Sequence, residues 1–207
     1  NLSLPLIVEG QIEEMNQIAV EIYTEMTPNP ESQKFVSNRK LLEQNHADFT
    51  NAEEAKDSPL AEELFKLPFV KAVFIAGNFV TVTKGAEYEW YEIAPEIKES
   101  IKNFILSGKS VLSEDFFKDQ PAEKTEEDYG EGIEGQIKMY LDKYVRPAVE
   151  TDGGHIGFKS FDDGVVTLSM QGACAGCPSS TVTLKAGIEG LLTRMIPEVK
   201  EVVAETE

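Results

Sequence analysis

Cys174 and Cys177 are the only cysteines of the 207-residue chain, set in Gly172-Ala173-Cys174-Ala175-Gly176-Cys177-Pro178. Thiolates rather than thiols bind metals or attack disulfides, so the chemistry of the pair depends on what favours the anion. Pro178 suits a first helical turn, and Ser179, Ser180 and Thr181 supply caps. Cys177 then stands at the positive end of a helix, with backbone N–H groups free to bond sulfur. Gly172 and Gly176 permit conformations and close approaches that a Cβ obstructs. The pattern predicts anionic sulfur held around something bulky.

Four readings fit these residues. The plainest is two cysteines without a chemical role, although C-x-x-C flanked by glycine at a strand-to-helix turn is rarely incidental. The second is a redox dithiol of thioredoxin type. Against it, Pro178 follows the pair instead of lying between the cysteines, and the only tryptophan is distant Trp90. The third is zinc, which wants four ligands. The fourth is an iron–sulfur cluster, whose irons also take four thiolates. Two cysteines do not supply four ligands, and His46 and His155 show no zinc-type spacing relative to the pair. A C2 dimer, each copy giving Cys174 and Cys177 to one shared centre, is the simpler solution. Held by two short loops, such a cluster is shallow and suits transfer better than storage.

The rest of the chain must position that loop. Nineteen Lys and Arg against 37 Asp and Glu give a net charge of −18. That surplus repels phosphate backbones and argues against nucleic-acid partners. It also resists an anionic cluster, for which the helix N–H groups after Cys177 are the local offset. A hydrophobic share of 41% supports packed cores. No apolar run approaches the roughly 20 residues of a membrane span, so no membrane partner is expected. Two cysteines make no disulfide framework, which agrees with a reducing compartment. Cytoplasm is the expected location, or an organelle matrix if a leader preceded Asn1.

Ser113–Gly130 carries seven acidic residues against Lys118 and Lys124 and reads as a connector. The predicted class is α+β: two small α/β domains joined by this acidic linker. In the first, Ile18, Val20 and Ile22 alternate as a strand that Thr27-Pro28-Asn29-Pro30 stops. Ser58-Pro59 opens a helix with Leu60, Leu64 and Leu67 on one face. Val70–Ile75 and Phe79–Thr83 pair around Gly77-Asn78. Pro95 opens a second helix, carrying Ile97, Ile101 and Phe104, that Gly108 closes. In the second, Ile133, Ile137, Tyr140, Leu141 and Tyr144 share a helical face. Asp152-Gly153-Gly154 then turns into strands near Ile156–Phe161 and Val165–Met170. A helix through Leu184, Ile188, Leu191, Leu192 and Met195 follows, with a last strand at Val199–Ala204. The order is α-β-β-α-β, with the C-x-x-C in a strand-to-helix loop.

GACAGCPSSTVTLKAGIEGLL followed by IPEV resembles the C-terminal domain of NifU and the Nfu proteins, and YVRPAVETDGGHIGF resembles the segment before it. TEMTPNPESQKFV and SPLAEELFKLPFVKAVFIAGNFVTVTK resemble the Nfu-type N-terminal domain. Met26 stands where that family often has proline, and His155 where an acidic residue often follows the double glycine. The resemblance implies an iron–sulfur scaffold or carrier that is not an enzyme. On that resemblance residues 16–108 are expected to form an Nfu-type domain for client or donor recognition, 109–130 the acidic linker, and 131–207 a NifU-like cluster-binding domain. By the same resemblance Cys174 and Cys177 bind a [4Fe–4S] cluster, with [2Fe–2S] as the alternative, bridged between two protomers of a homodimer. The partners it implies are a donor scaffold and apo iron–sulfur client proteins.

The other conspicuous residues are expected to pack rather than react. Trp90, Tyr88 and Tyr91 fit aromatic packing between helix and sheet. Asp152-Gly153-Gly154 fits a tight turn, Pro147 a bend or helix end, and His155 a packing or surface position.

Overall fold

Alternating apolar residues need a partner layer on one face only, and the first domain's sheet finds one on both. The computed structural model describes residues 19–43, 45–116, 129–175 and 178–206. Its first domain is a five-stranded antiparallel sheet of β1 (Ile22–Met26), β2 (Ser32–Ser37), β3 (His46–Phe49), β4 (Val70–Ala76) and β5 (Phe79–Lys84), in the order β1-β2-β5-β4-β3. The β4–β5 hairpin turns at Gly77-Asn78 as predicted, with Gly77 at φ +46°. The strand expected from Ile18 begins instead at Ile22; Val20 is buried ahead of it, and Ile18 lies outside the described residues. Thr27–Pro30 does stop β1, but it also returns the chain as β2, pairing Met26 with Gln33 and Tyr23 with Val36. Strands β2 and β3 were not predicted, because Lys34 interrupts the apolar pattern of one and the other is only four residues long.

Helix α1 (Pro59–Phe65) starts where expected: Ser58 Oγ accepts from the Ala61 N–H at 3.1 Å, and Leu60 and Leu64 are buried. Helix α2 spans Trp90–Leu106, so Pro95 lies inside it rather than at its start. Ile93, Ile97 and Ile101 continue one buried stripe through the proline, and Trp90 is anchored by its indole N–H to the Pro30 carbonyl at 2.9 Å. That stripe outweighs the single helical hydrogen bond a proline forgoes. Gly108, at φ +67°, closes the helix. Phe35, Val73, Ile75, Val80 and Val82 pack with both helices in one core, which Leu112 also joins. Residues 117–128, the greater part of the acidic segment, lie outside the described residues.

The second domain has the predicted α-β-β-α-β order. Helix α3 (Ile133–Tyr140) passes through a π turn at Leu141–Val145 into α4 (Arg146–Thr151). Strands β6 (Gly154–Asp162) and β7 (Val165–Gly172) form an antiparallel pair, α5 spans Pro178–Met195, and β8 (Glu201–Thr206) joins β7 in parallel. Tyr144, expected on the apolar face, is exposed, and Val145 is buried in its place. The π turn inserts one residue, so the buried series runs Ile137, Leu141, Val145, Val149. Pro147, in the first turn of α4, sits just after that shift. Those residues close over Ile156, Leu168, Met170, Ile188, Leu192 and Val202 in the second core. Among the described residues no helix is long and apolar enough to cross a membrane.

Candidate functional site

Strand β7 ends at Gly172 and α5 begins at Pro178, so the cysteine loop is the short connection between them. Gly176 and Cys177 lie outside the described residues; Cys174 and Ala175 lie within them. Gly172 adopts φ +65°, a left-handed conformation that turns the chain out of the ladder. The Ala173 N–H donates to the Gly153 carbonyl at 3.2 Å, and the Ala175 N–H to the Gly172 carbonyl at 3.0 Å. From the first turn of α5, the Thr181 hydroxyl donates to the Cys174 carbonyl at 3.2 Å. The Asp152-Gly153-Gly154 turn is therefore part of the site as well as a turn. Gly154 pairs with Gly172, and a Cβ there would stand 2.6 Å from Cys174 Sγ.

Cys174 is only 6% exposed and belongs to the second core. Burial, and secondarily the Asp152 carboxylate, push its thiol up to about 12. The Cys174 sulfur lies against Gly154 in the second core, whereas the helix N-terminus was expected to act on Cys177, which lies outside the described residues. The folded value lies above the ordinary 9.0, so the neutral thiol stabilises this arrangement below about pH 9, and that contribution is lost as the pH climbs toward 12. Urea unfolding of the metal-free chain between about pH 8 and 11 should therefore show a steeper fall in stability for wild type than for Cys174→Ala. Equal slopes would refute the inward placement.

The two histidines, far apart in sequence, meet: the rings of His46 in β3 and His155 in β6 stack with centroids 3.7 Å apart, and His46 also stacks on Phe74. His155 is thus a packing residue between the domains. Among the described residues no group of three or more His, Cys, Asp or Glu could hold a metal ion. Tyr88 packs edge-on against Phe69 and Trp90 tilts against Phe35, as expected of aromatics between helix and sheet. Tyr91, by contrast, is exposed, since the first turn of α2 carries it away from the sheet.

Asn29, Lys34 and Thr81, to which sequence analysis gave no role, reach the site from the first domain. Asn29 Nδ2 donates to the carbonyl of Ala175, between the two cysteines, at 3.3 Å. Lys34 Nζ donates to the carbonyls of Glu150 and Thr151 at 3.2 and 3.0 Å, and pairs with Glu25 at 3.1 Å. The Thr81 hydroxyl donates to the Gly153 carbonyl at 2.7 Å. The signal was half visible: Lys34 and Thr81 fall on the alternate positions of β2 and β5, opposite Phe35, Val80 and Val82. Alternation assigns such residues to solvent, and only the second domain's position shows that the face is covered.

A loop of this kind offers two soft sulfur donors on a short strand-to-helix connection. Metal binding would deprotonate the thiols and require Cys174 to turn from the core. Comparison with known proteins points the same way. The family model described as "Scaffold protein Nfu/NifU N terminal" matches residues 22–108, and the one described as "NifU-like domain" matches residues 137–203. The human protein named "NFU1 iron-sulfur cluster scaffold homolog, mitochondrial" is 40% identical over 87% of this chain and 70% of its own length. Its namesake from Drosophila sechellia is 45% identical over 87% of this chain and 63% of its own. "NifU-like protein 4, mitochondrial" from Arabidopsis thaliana is 41% identical over 89% and 65%. The chain thus spans roughly two thirds of the length of these relatives.

Proposed function

The chain belongs to the Nfu/NifU family of iron–sulfur cluster scaffold proteins, and on that premise we propose that it is a carrier receiving a cluster from a donor scaffold and passing it to apo iron–sulfur proteins. Cys174 and Cys177 are the ligands, and a second copy of the chain completes the set around a [4Fe–4S] cluster, or a [2Fe–2S] one. The observation that carries the reading is the placement of Cys174 in a short loop between β7 and α5, inside the stretch that the NifU-like domain model matches. Half a coordination set per chain favours sharing, and sharing favours release. Handover is thiolate exchange: a client cysteine displaces one carrier cysteine at a time, each displaced sulfur taking up a proton as it leaves iron. No electron moves, and no general acid or base is required.

Residues 131–207 hold the cluster and 16–108 recognise clients or donors; the connector, 109–130, packs its Leu112 into the first core before running on to the second domain. The carrier works in a reducing compartment, the cytoplasm or an organelle matrix, the relatives' names being mitochondrial. Anaerobic reconstitution with ferrous iron and sulfide tests the proposal. The expected product is a brown dimer with about four iron and four sulfide per pair of chains (about two of each for the smaller cluster), which activates an apo-acceptor. A colourless monomer that reduces disulfides catalytically would overturn it. So would a protein that takes about one zinc per dimer and no transferable iron.

A further inference from the structure

The Thr27-Pro28-Asn29-Pro30 turn stands in the first domain, away from any cysteine in sequence, yet its one amide side chain is spent on the cysteine loop. Asn29 is only 3% exposed. Its Oδ1 accepts from the Glu31 N–H at 3.0 Å, the Thr27 hydroxyl meets its backbone, and a proline on each side fixes the chain. The Nδ2 left over is directed at Ala175. A rigid turn is thus built to present one donor to the residue between the two cysteines.

Lys34 carries the same message. At 8% exposure its ammonium has surrendered most of its water, which is costly unless other dipoles replace it. They are the last carbonyls of α4, the negative end of that helix, with the Glu25 carboxylate and the Phe79 ring face 4.4 Å away. Both carbonyls belong to the other domain, so the arrangement exists only while the domains are joined. The approach is close as well. A Cβ on Gly153 would stand 2.8 Å from Thr81 Oγ1, and one on Gly172 would stand 2.9 Å from Phe74 Cγ. Phe74 therefore rests on the residue two before Cys174. In this joined state the Cys174 sulfur packs in the core, where iron shared with a second copy does not reach it.

We propose that the first domain is an internal clasp on the cysteine loop, in which Asn29, Lys34 and Thr81 act as positioning residues that hold the cluster-free form with Cys174 stowed, so that cluster loading and clasp release are coupled. The loading half rests on the carrier reading; the clasp half does not. Coupling is reciprocal: whatever the clasp contributes to the stowed form is subtracted from cluster binding, and weakening the one strengthens the other by the same factor. The first domain thereby acts on the cargo site directly, in addition to recognising clients.

The test uses the full-length chain. In a Cys177→Ser background, which leaves one thiol, iodoacetamide alkylation of the reduced, metal-free protein is timed at one fixed pH. Asn29→Ala combined with Lys34→Met is expected to raise the rate at least about tenfold while the urea midpoint of the second domain stays in place, and Lys34→Arg alone, which keeps the donors, is expected to leave alkylation slow. An unchanged rate overturns the clasp. If the double variant fails to fold, Asn29→Ala alone, which removes the contact with Ala175 and one hydrogen bond within its own turn, decides in the same way. With both cysteines present, the variants are then titrated anaerobically with iron and sulfide and should load faster than wild type. Fast alkylation without iron uptake by any form refutes the carrier and leaves the clasp standing; iron uptake with unaltered alkylation refutes the clasp and leaves the carrier.

Discussion

Alanine in place of Cys174 or Cys177 is expected to remove cluster binding altogether while leaving the chain folded. After anaerobic reconstitution and desalting, iron and sulfide should fall to the level of a chelator-treated control, and the dimer formed on loading should not form. If the cluster is shared between copies as proposed, each substitution removes two of the four sulfurs, and two thiolates from opposite chains do not retain it. The cost to the metal-free fold is small by comparison. Cys174 behaves in the core as a small hydrophobe, so its truncation is worth about 1 kcal/mol of stability. The first domain, whose core contains no cysteine, should unfold at its wild-type midpoint. Collapse of the whole chain would instead identify a structural metal, and full iron retention in the Cys174→Ala, Cys177→Ala double variant would show that the ligands lie elsewhere.

The hairpin at Gly77-Asn78, the cap at Ser58, the order of elements in the second domain and the loop bearing the cysteines were legible because each depends on local chemistry. Local signals also misled in identifiable ways. Pro95 read as a helix start, but the buried stripe of Ile93 and Ile97 runs through it. Tyr144 read as apolar-face, but a π turn hands its place to Val145. Of the anionic pair expected, the Cys174 sulfur is instead buried against the ladder pair Gly154–Gly172, which favours its neutral thiol. The contacts of Asn29, Lys34 and Thr81 with the second domain were invisible for a different reason. They join residues far apart in sequence, and a polar residue on a strand's outer face carries the same signature whether water or another domain covers it.

Gly172→Ala is expected to be among the most damaging single-methyl changes in the chain, and the neighbouring domain is part of the reason. The residue sits at φ +65°, which costs an alanine on the order of 1 kcal/mol before any contact is counted. The added Cβ would then lie 2.8 Å from the Gly153 carbonyl oxygen, 2.9 Å from Phe74 Cγ and 3.0 Å from Gly154 Cα. Two of those three atoms are backbone in the ladder that ends at the cysteine loop, and the third belongs to the first domain's sheet, so no flexible side chain can simply move aside. Strain of both kinds together predicts a loss of about 2–4 kcal/mol in urea unfolding of the metal-free chain. The opposite sign is expected at Gly187, an exposed position in α5 with φ outside the left-handed region and open space where the Cβ would go. Alanine there should stabilise by about 0.5–1 kcal/mol. Because the first change also pushes Phe74 off the loop, it should speed Cys174 alkylation, whereas Gly187→Ala should not. A Gly172→Ala chain as stable as wild type, with its thiol still protected, would mean that strand, turn and first domain do not meet at this residue.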